Sequence, residues 1–425
     1  MDAIANPTVI SPPGLTPRII DVPGDIAGYR AVGGYAPLRS AADLLQQVVA
    51  SGLRGRGGAG FPLGTKLRSV TGHCGPGVRP VVVANGEEGE PASAKDRWLL
   101  RHRPHLVLDG LRVAATILDA DRAVVYLSDP AAADSITAAI AEAGEMPITF
   151  EIHTVEPGYV AGEETAAVRS LNGGLAKPMD KPPRPFAKGV ERRPTLISNV
   201  ETLANLAWIH RHGAAEFRSA GTADSPGTFL ATVTGAGREA AIYELPHGFS
   251  IRDLLALHGV PAGTVRGALL GGYFNGLTNQ RVLDLSLDHE TLRGAGTGLG
   301  CGAISLLTEQ DCPVAVTASV LEYFDRENAG QCGSCFNGIA AMSAVASALR
   351  EGTAAPDDLE RFDRWSTVLR GRGACATLDA ATNAARTLLD EFPDAVKRHR
   401  DGGCAICAAT PFTAVRPFDV EAVTR

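Results

Sequence analysis

Aromatic residues make up only 5 % of this 425-residue chain, and charge of either sign is modest, with 20 % charged residues and a formal net charge of −7. That balance excludes a basic, nucleic-acid-coating protein, and a hydrophobic content of 45 % excludes a disordered one. No apolar run reaches the roughly 18 residues that a membrane-spanning helix needs, and there is no internal repeat or low-complexity segment. The opening stretch MDAIANPTVISPPGLTPRII lacks a basic leader, an apolar core and a small-residue cleavage site, so a cytoplasmic location is expected. Disulfides are disfavoured there. The eight cysteines (74, 301, 312, 332, 335, 375, 404 and 407) therefore read as metal or cluster ligands wherever they group. What the chain has in quantity is glycine (48) and proline (27), so many loops bring backbone close to something.

The length allows two or three domains. Residues 1–30 read as a Pro-rich arm draped over the first domain. In 31–222, apolar spacing predicts a helix over residues 38–51 stopped by Gly52. A β-branched strand follows at Val81–Val83, and then helices and strands alternate through ITFEIHTVE. Such alternation predicts a parallel sheet covered on both faces, with ligand loops at the strand C-termini. Residues 223–315 read as a small mixed domain of two short strands, a helix and a returning strand. Residues 316–425 are Ala-rich and helical, a four-helix bundle.

SGLRGRGGAGFPLGTK contains Gly55, Gly57 and Gly60 at G-x-G-x-x-G spacing, but a helix precedes it and Phe61-Pro62 follows, so the usual dinucleotide fingerprint fails. Thr65 before Lys66 excludes the phosphate-loop signature as well. There remains a nest of unhindered amides flanked by Arg54, Arg56 and Lys66, suited to a flat anionic ligand; the alternative is a merely flexible loop. NGEEGEPASAKDR presents Glu87, Glu88 and Glu90 after a strand, and AGEETAAVRS presents Gly162, Glu163 and Glu164 at a helix start. Carboxylates there either serve the helix dipole or, lacking structural partners, bind ribose hydroxyls. Ser198-x-x-Glu201 matches a capping box opening a helix, whose start with Asn199 and Thr202 suits an anion such as a flavin phosphate.

Taken in order, GLRGRGGAGFPLGTK, NGEEGEPASAKDR, YVAGEETAAVRSLNGG, KPPRP and PTLISNVETLANLAWI resemble the NADH-oxidising flavoprotein subunit of respiratory complex I and its relatives in NAD-linked hydrogenases and formate dehydrogenases. The resemblance implies a Rossmann-like α/β flavin domain, a β-grasp domain and a C-terminal four-helix bundle with a cluster. It assigns FMN to Gly55, Arg56, Gly57, Gly58, Lys66, Asn85, Glu87, Glu88, Gly162, Glu163, Ser198, Asn199 and Thr202, and NAD(H) or NADP(H) to Phe61, Glu90, Glu164 and Lys181. Glu164 takes the catalytic place, shaping the flavin and nicotinamide site. Two departures stand where the family has aromatic residues: Ser69, and Arg184 within KPPRP, where KPPFP is usual. An arginine there suits a phosphate, as in NADPH.

The family's C-x-x-C-x-x-C and a fourth cysteine about forty residues on ligate a [4Fe-4S] cluster. Here Ala329 takes the first place, leaving Cys332, Cys335 and, 40 residues beyond Cys335, Cys375. Cys404 is the expected replacement, with Cys407 and Cys301 as alternatives and Cys74 and Cys312 as ordinary buried residues. The implied protein passes single electrons from FMN through the cluster to an electron-accepting subunit, ferredoxin-like or a membrane redox partner, with no nucleic acid involved. Two rivals are a relay or scaffold subunit that has lost nucleotide binding and a zinc-stapled ligand-binding module.

Overall fold

The computed structural model describes residues 7–146, 148–402 and 404–409. Residues 1–6 of the expected arm and 410–425 of the expected helical domain lie outside the described residues.

Four parallel strands form the first sheet in the order Thr149–Thr154, Arg122–Leu127, Val81–Asn85, Thr195–Asn199. The central strands are runs of Val and Ala with no polar alternation, because both faces are covered. On one face pack the helices Ala41–Ser51, Pro104–Leu118 and Val200–Phe217. On the other, Val81, Val83, Val124 and Ile197 meet Ala167 and Val168 of the helix Glu164–Leu171. The chain adds strands outward from Val81–Asn85, then crosses back to place Thr195–Asn199 on its free side. That reversal of strand order opens a crevice at the carboxyl ends of these two strands, where Asn85 is paired with Asn199.

Local signals explain several boundaries. Ser40 caps the helix Ala41–Ser51 by accepting the Asp43 amide, and Gly52 ends it in the left-handed conformation at φ 69°. The capping box at Ser198 is corrected: Ser198 lies in a strand opposite Ala84, and Asn199 caps the helix Val200–Phe217 by accepting the Glu201 amide.

The second sheet is mixed, in the order Thr8–Ile10, Arg238–Pro246, Thr228–Gly235, Ala303–Thr308, Val265–Leu270, Leu277–Asn279. Its middle pair, Thr228–Gly235 and Ala303–Thr308, is parallel, and the flanking pairs within residues 228–308 are antiparallel, with the helix Ile251–Leu257 packed on the sheet. This is the β-grasp arrangement, with four strands beyond the three that the sequence announced: Leu277–Asn279 and Ala303–Thr308 in this sheet, and Phe249–Ser250 paired with Ser286–Leu287 beside it. The arm does more than cover the first domain. Thr8–Ile10 extends the second sheet, and the buried Glu244 carboxylate accepts the amides of Arg18, Ile19 and Ile20 at 2.9, 3.0 and 3.1 Å.

From Pro313 onward the described residues are helical: Pro313–Glu327, Gly333–Glu351, Asp358–Val368, Thr377–Glu391, Pro393–Asp401 and Ala405–Ala409. They enclose a core that includes Phe324, Ile339, Leu349, Phe362 and Leu388. The long terminal helix read from the sequence is broken at Phe392 (φ −133°, ψ 46°), because the residue before a proline is driven out of the α conformation. No helix among the described residues is long and apolar enough to cross a membrane.

Candidate functional site

The glycine loop is closed at its base rather than loose. Leu63 donates its amide to the Leu53 carbonyl at 2.9 Å and Gly55 donates to Phe61 at 2.9 Å. The loop lies over the start of the helix Val200–Phe217: the Arg56 amide donates to Thr202 Oγ1 at 2.8 Å, and a side chain on Gly57 would stand 3.1 Å from Asn199 Cβ. On the outer side, no heavy atom comes within 4 Å of where a Cβ on Gly58 (φ 123°) would be. Closely packed behind and open in front, the loop fits a flat, anionic group seated against exposed amides and a helix N-terminus. The Arg56 side chain does not face that opening. It is buried, donates to the carbonyls of Arg54 and Thr228 at 3.1 and 2.9 Å, and stands 3.7 Å from Glu201.

The acidic loop differs from its sequence reading, since its carboxylates have structural partners. Glu88 accepts the amides of Asp96 and Arg97, both at 3.1 Å, and the Ser93 hydroxyl at 2.5 Å, so it caps the helix Lys95–His102. Glu87 accepts the Gly158 amide at 3.2 Å. Glu90 is turned toward the second sheet, accepting the Tyr273 amide at 3.1 Å against the bare Cα of Gly272. Burial pushes its carboxyl up to about 8, opposed by the Tyr273 and Ala92 amides. Asn85 donates to the Gly162 carbonyl at 2.8 Å, which pins the two acidic loops together.

Glu163 caps the helix Glu164–Leu171, accepting the amides of Thr165 and Ala166 at 2.7 and 3.1 Å, and pairs with Lys181 at 2.7 Å. Glu164 is left facing the crevice among three cations: Arg184 at 3.6 Å, Lys181 at 3.9 Å and Lys66 at 4.0 Å. Burial lowers the Lys66 pKa while Glu164 works against that shift. Phe61, 51 % exposed, stands on the glycine loop as a large apolar side chain without cover. The structure thus brings together, at one end of the parallel sheet, the glycine loop, both acidic loops, the helix start at Asn199 and the Lys181–Arg184 segment.

Sequence reasoning missed the ion cluster beneath this crevice. Lys95 is fully buried, with its Nζ 2.7 Å from Asp96 and 2.9 Å from Glu201; Asn199 donates to Asp96 at 2.6 Å, and Glu201 accepts the Leu230 amide of the second sheet at 2.9 Å. The only signal available was three charged residues on segments otherwise read as ligand loop and helix.

Cys332 is the residue before the helix Gly333–Glu351, which carries Cys335 on its first turn. The Ala374 amide donates to Cys332 Sγ at 3.4 Å, which brings the Cys375 segment alongside. Burial first, and then the facing thiols of Cys375 and Cys332, push the Cys335 thiol up to about 12. Three soft thiol donors converging in this way fit three iron corners of a cluster. Ala329 is buried nearby, and its carbonyl accepts Lys177 Nζ at 2.9 Å. Cys404 is elsewhere: its sulfur lies with Cys312, Cys407 and His399, their ligand atoms all within 4.8 Å of one another. Cys312 is therefore not the isolated buried thiol that the sequence indicated.

Residues 48–208 match the family model of the Nuo51 FMN-binding domain, and residues 315–399 match that of the NADH-ubiquinone oxidoreductase-F iron-sulfur binding region. The second F-type chain of the NADH-quinone oxidoreductase of Rhizobium meliloti is 34 % identical over 401 residues, 88 % of this chain and 94 % of that one. The HndC component of the NADP-reducing hydrogenase of Solidesulfovibrio fructosivorans is 30 % identical over 421 residues, 94 % and 85 % of the two chains. The crystal structure of an NAD+-reducing [NiFe]-hydrogenase in the air-oxidized state matches with a TM-score of 0.79 at 30 % identity, over 90 % of this chain and 65 % of that one. The chain belongs to the family of F-type subunits of NADH-quinone oxidoreductases.

Proposed function

We propose that this chain is the nucleotide-oxidising electron-transfer subunit of a larger oxidoreductase, holding FMN in the crevice of the parallel sheet and a [4Fe-4S] cluster on Cys332, Cys335 and Cys375. The observation that carries the reading is the convergence at one sheet end of the amide-rich loop Gly55–Gly60, the helix start at Asn199 and the carboxylate of Glu164. When bound, FMN supplies the chemistry that accepts a hydride and releases electrons singly, and the cluster supplies a one-electron acceptor.

The residues' own work is to bind, orient and exclude water. Gly55, Gly57 and Gly58 present backbone without side chains, and the helix Val200–Phe217 directs its first amides toward a phosphate. Asn85, Glu87, Glu88 and Glu163 act mainly on the frame: their bonds to Gly162, Gly158, the helix at Lys95 and the helix at Glu164 hold the loops at a fixed separation. Glu164, Lys66 and Lys181 line the opening with a net positive charge and meet ribose and phosphate groups of the nucleotide. Phe61 offers a face for a nucleotide ring to stack on. Glu90 serves from behind, its carboxylate engaged by Tyr273. No general acid or nucleophile is needed, because hydride transfer depends on alignment.

The cysteine-bound cluster requires a protein partner to receive its electrons, either a ferredoxin-like subunit or a membrane redox protein, and a cytoplasmic setting belongs to the same proposal. Anaerobic reduction with NADH and with NADPH in the presence of an artificial dye acceptor tests the function. Dye reduction with at least one nucleotide supports it. A protein that binds FMN yet reduces dye with neither nucleotide instead has the scaffold role.

A further inference from the structure

Outside the sheet crevice and the three-cysteine group, the described residues hold one more concentration of metal-ligating atoms, built from segments far apart in the chain. Cys312 is the residue before the helix Pro313–Glu327, His399 lies in the helix Pro393–Asp401, and Cys404 and Cys407 flank the start of the short helix Ala405–Ala409. Cys312 Sγ is 3.1 Å and Cys407 Sγ 3.4 Å from His399 Nε2. Cys312 is 3 % exposed and His399 1 % exposed. All four donor atoms lie within 4.8 Å of one another.

The surroundings are arranged as a metal site requires. His399 Nδ1 lies 3.0 Å from the Leu349 carbonyl and can only donate to it, so the lone pair of the neutral ring sits on Nε2, the nitrogen facing the sulfurs. Cys404-x-x-Cys407 is the usual knuckle spacing, and the family region matched at residues 315–399 contains none of the three cysteines.

We infer that Cys312, His399, Cys404 and Cys407 form a mononuclear zinc site, separate from the iron-sulfur cluster. Size selects a single ion. Metal–sulfur bonds of about 2.3 Å put tetrahedral ligand atoms roughly 3.8 Å apart, within the spread found here, whereas the cysteine sulfurs around a four-iron cubane stand on a much larger tetrahedron. Four protein ligands close the coordination shell, so the ion is structural. It ties the last two described helices to the start of the first helix of the bundle, on a chain where the arginine-rich helix Pro393–Asp401 has little apolar surface of its own.

The test uses the full chain, purified anaerobically with its cofactors, and counts zinc and iron per chain by plasma mass spectrometry. One zinc is expected in addition to iron. Cys404→Ser with Cys407→Ser should lose the zinc and keep flavin absorption and iron content. His399→Cys should keep the zinc. On unaltered protein, replacement of zinc by Co(II) should give intense tetrahedral ligand-field and sulfur-to-cobalt bands, a readout that needs no variant to fold. Absence of zinc together with absence of those bands overturns the proposal. So does a double variant that keeps its zinc, or one that loses cluster iron, which would return Cys404 to the cluster.

Discussion

Lys95 Nζ lies 2.9 Å from Glu201 Oε2 with both side chains 1 % exposed, one on the helix after the acidic loop and the other on the helix that opens at Asn199. Glu201 also accepts the Leu230 amide, so this pair fastens the parallel sheet to the β-grasp sheet directly beneath the proposed flavin crevice. A buried pair of this kind holds geometry more than it adds stability.

Breaking it should be severe. Lys95→Met removes the buried cation that Glu201 and Asp96 share and leaves them unmatched and sealed from water, which costs about 3–5 kcal/mol. Urea unfolding followed by circular dichroism should show the midpoint fall accordingly; a change below about 0.5 kcal/mol, the range of ordinary surface substitutions, would mean the ion pair is not held as described.

The glycine loop makes a sharper statement about ligand binding. Gly57→Val places a branched side chain where even a Cβ is 3.1 Å from Asn199, so the loop must lift from the helix start. FMN affinity, measured by fluorescence quenching on titration into the flavin-free protein, should fall at least roughly tenfold, equivalent to about 1.4 kcal/mol. Unchanged affinity would move the flavin away from this loop.

Arg184 stands 3.6 Å from Glu164 and is exposed at the mouth of the crevice, where its guanidinium can also meet a phosphate. Arg184→Phe should shift the ratio of kcat/KM for NADPH to that for NADH roughly tenfold toward NADH, because a guanidinium that pairs with phosphate is replaced by a stacking face. A ratio that does not move would assign Arg184 to Glu164 alone.

Glu90 gives a pH dependence. Burial raises its folded pKa to about 8, above that of an unfolded chain, so its contribution to stability is fully present below about 4.3. As pH rises from there toward 8 the unfolded state releases its proton first and stability falls, by at most about 1.4 kcal/mol per pH unit. Glu90→Gln has no proton to lose. Denaturation midpoints between pH 5 and 8 should decline more steeply for the unaltered protein than for the variant; parallel curves would contradict this assignment.

The legible part of the fold is the part where one residue type decides. Gly52 ends its helix, and the Val81–Val83 run can only be a covered strand. Thr195–Asn199 reads from the sequence as the approach to a helix, because Leu196 and Ile197 suit either period and only the sheet gap beside Val81 selects the strand. Leu277–Asn279, three residues long, carries no period at all. For the site, the glycines and the Glu163–Glu164 pair are readable by position, whereas the partners of Glu88 and Glu201 are not, since charged residues ordinarily stay at the surface. Cys312 and His399 are 87 residues apart in sequence, and no spacing rule joins them. That is why the sequence alone sends Cys404 toward the cluster and away from its neighbours in the fold.

Optical and EPR spectra of the anaerobically purified protein, recorded before and after adding NADH or NADPH, bear most directly on the central claim. The expected result is flavin absorption that bleaches on nucleotide addition, together with an iron-sulfur signal that Cys335→Ser abolishes while the flavin remains. Folded protein supplied with riboflavin and iron that carries no flavin, or whose iron-sulfur signal is indifferent to Cys335, would contradict it.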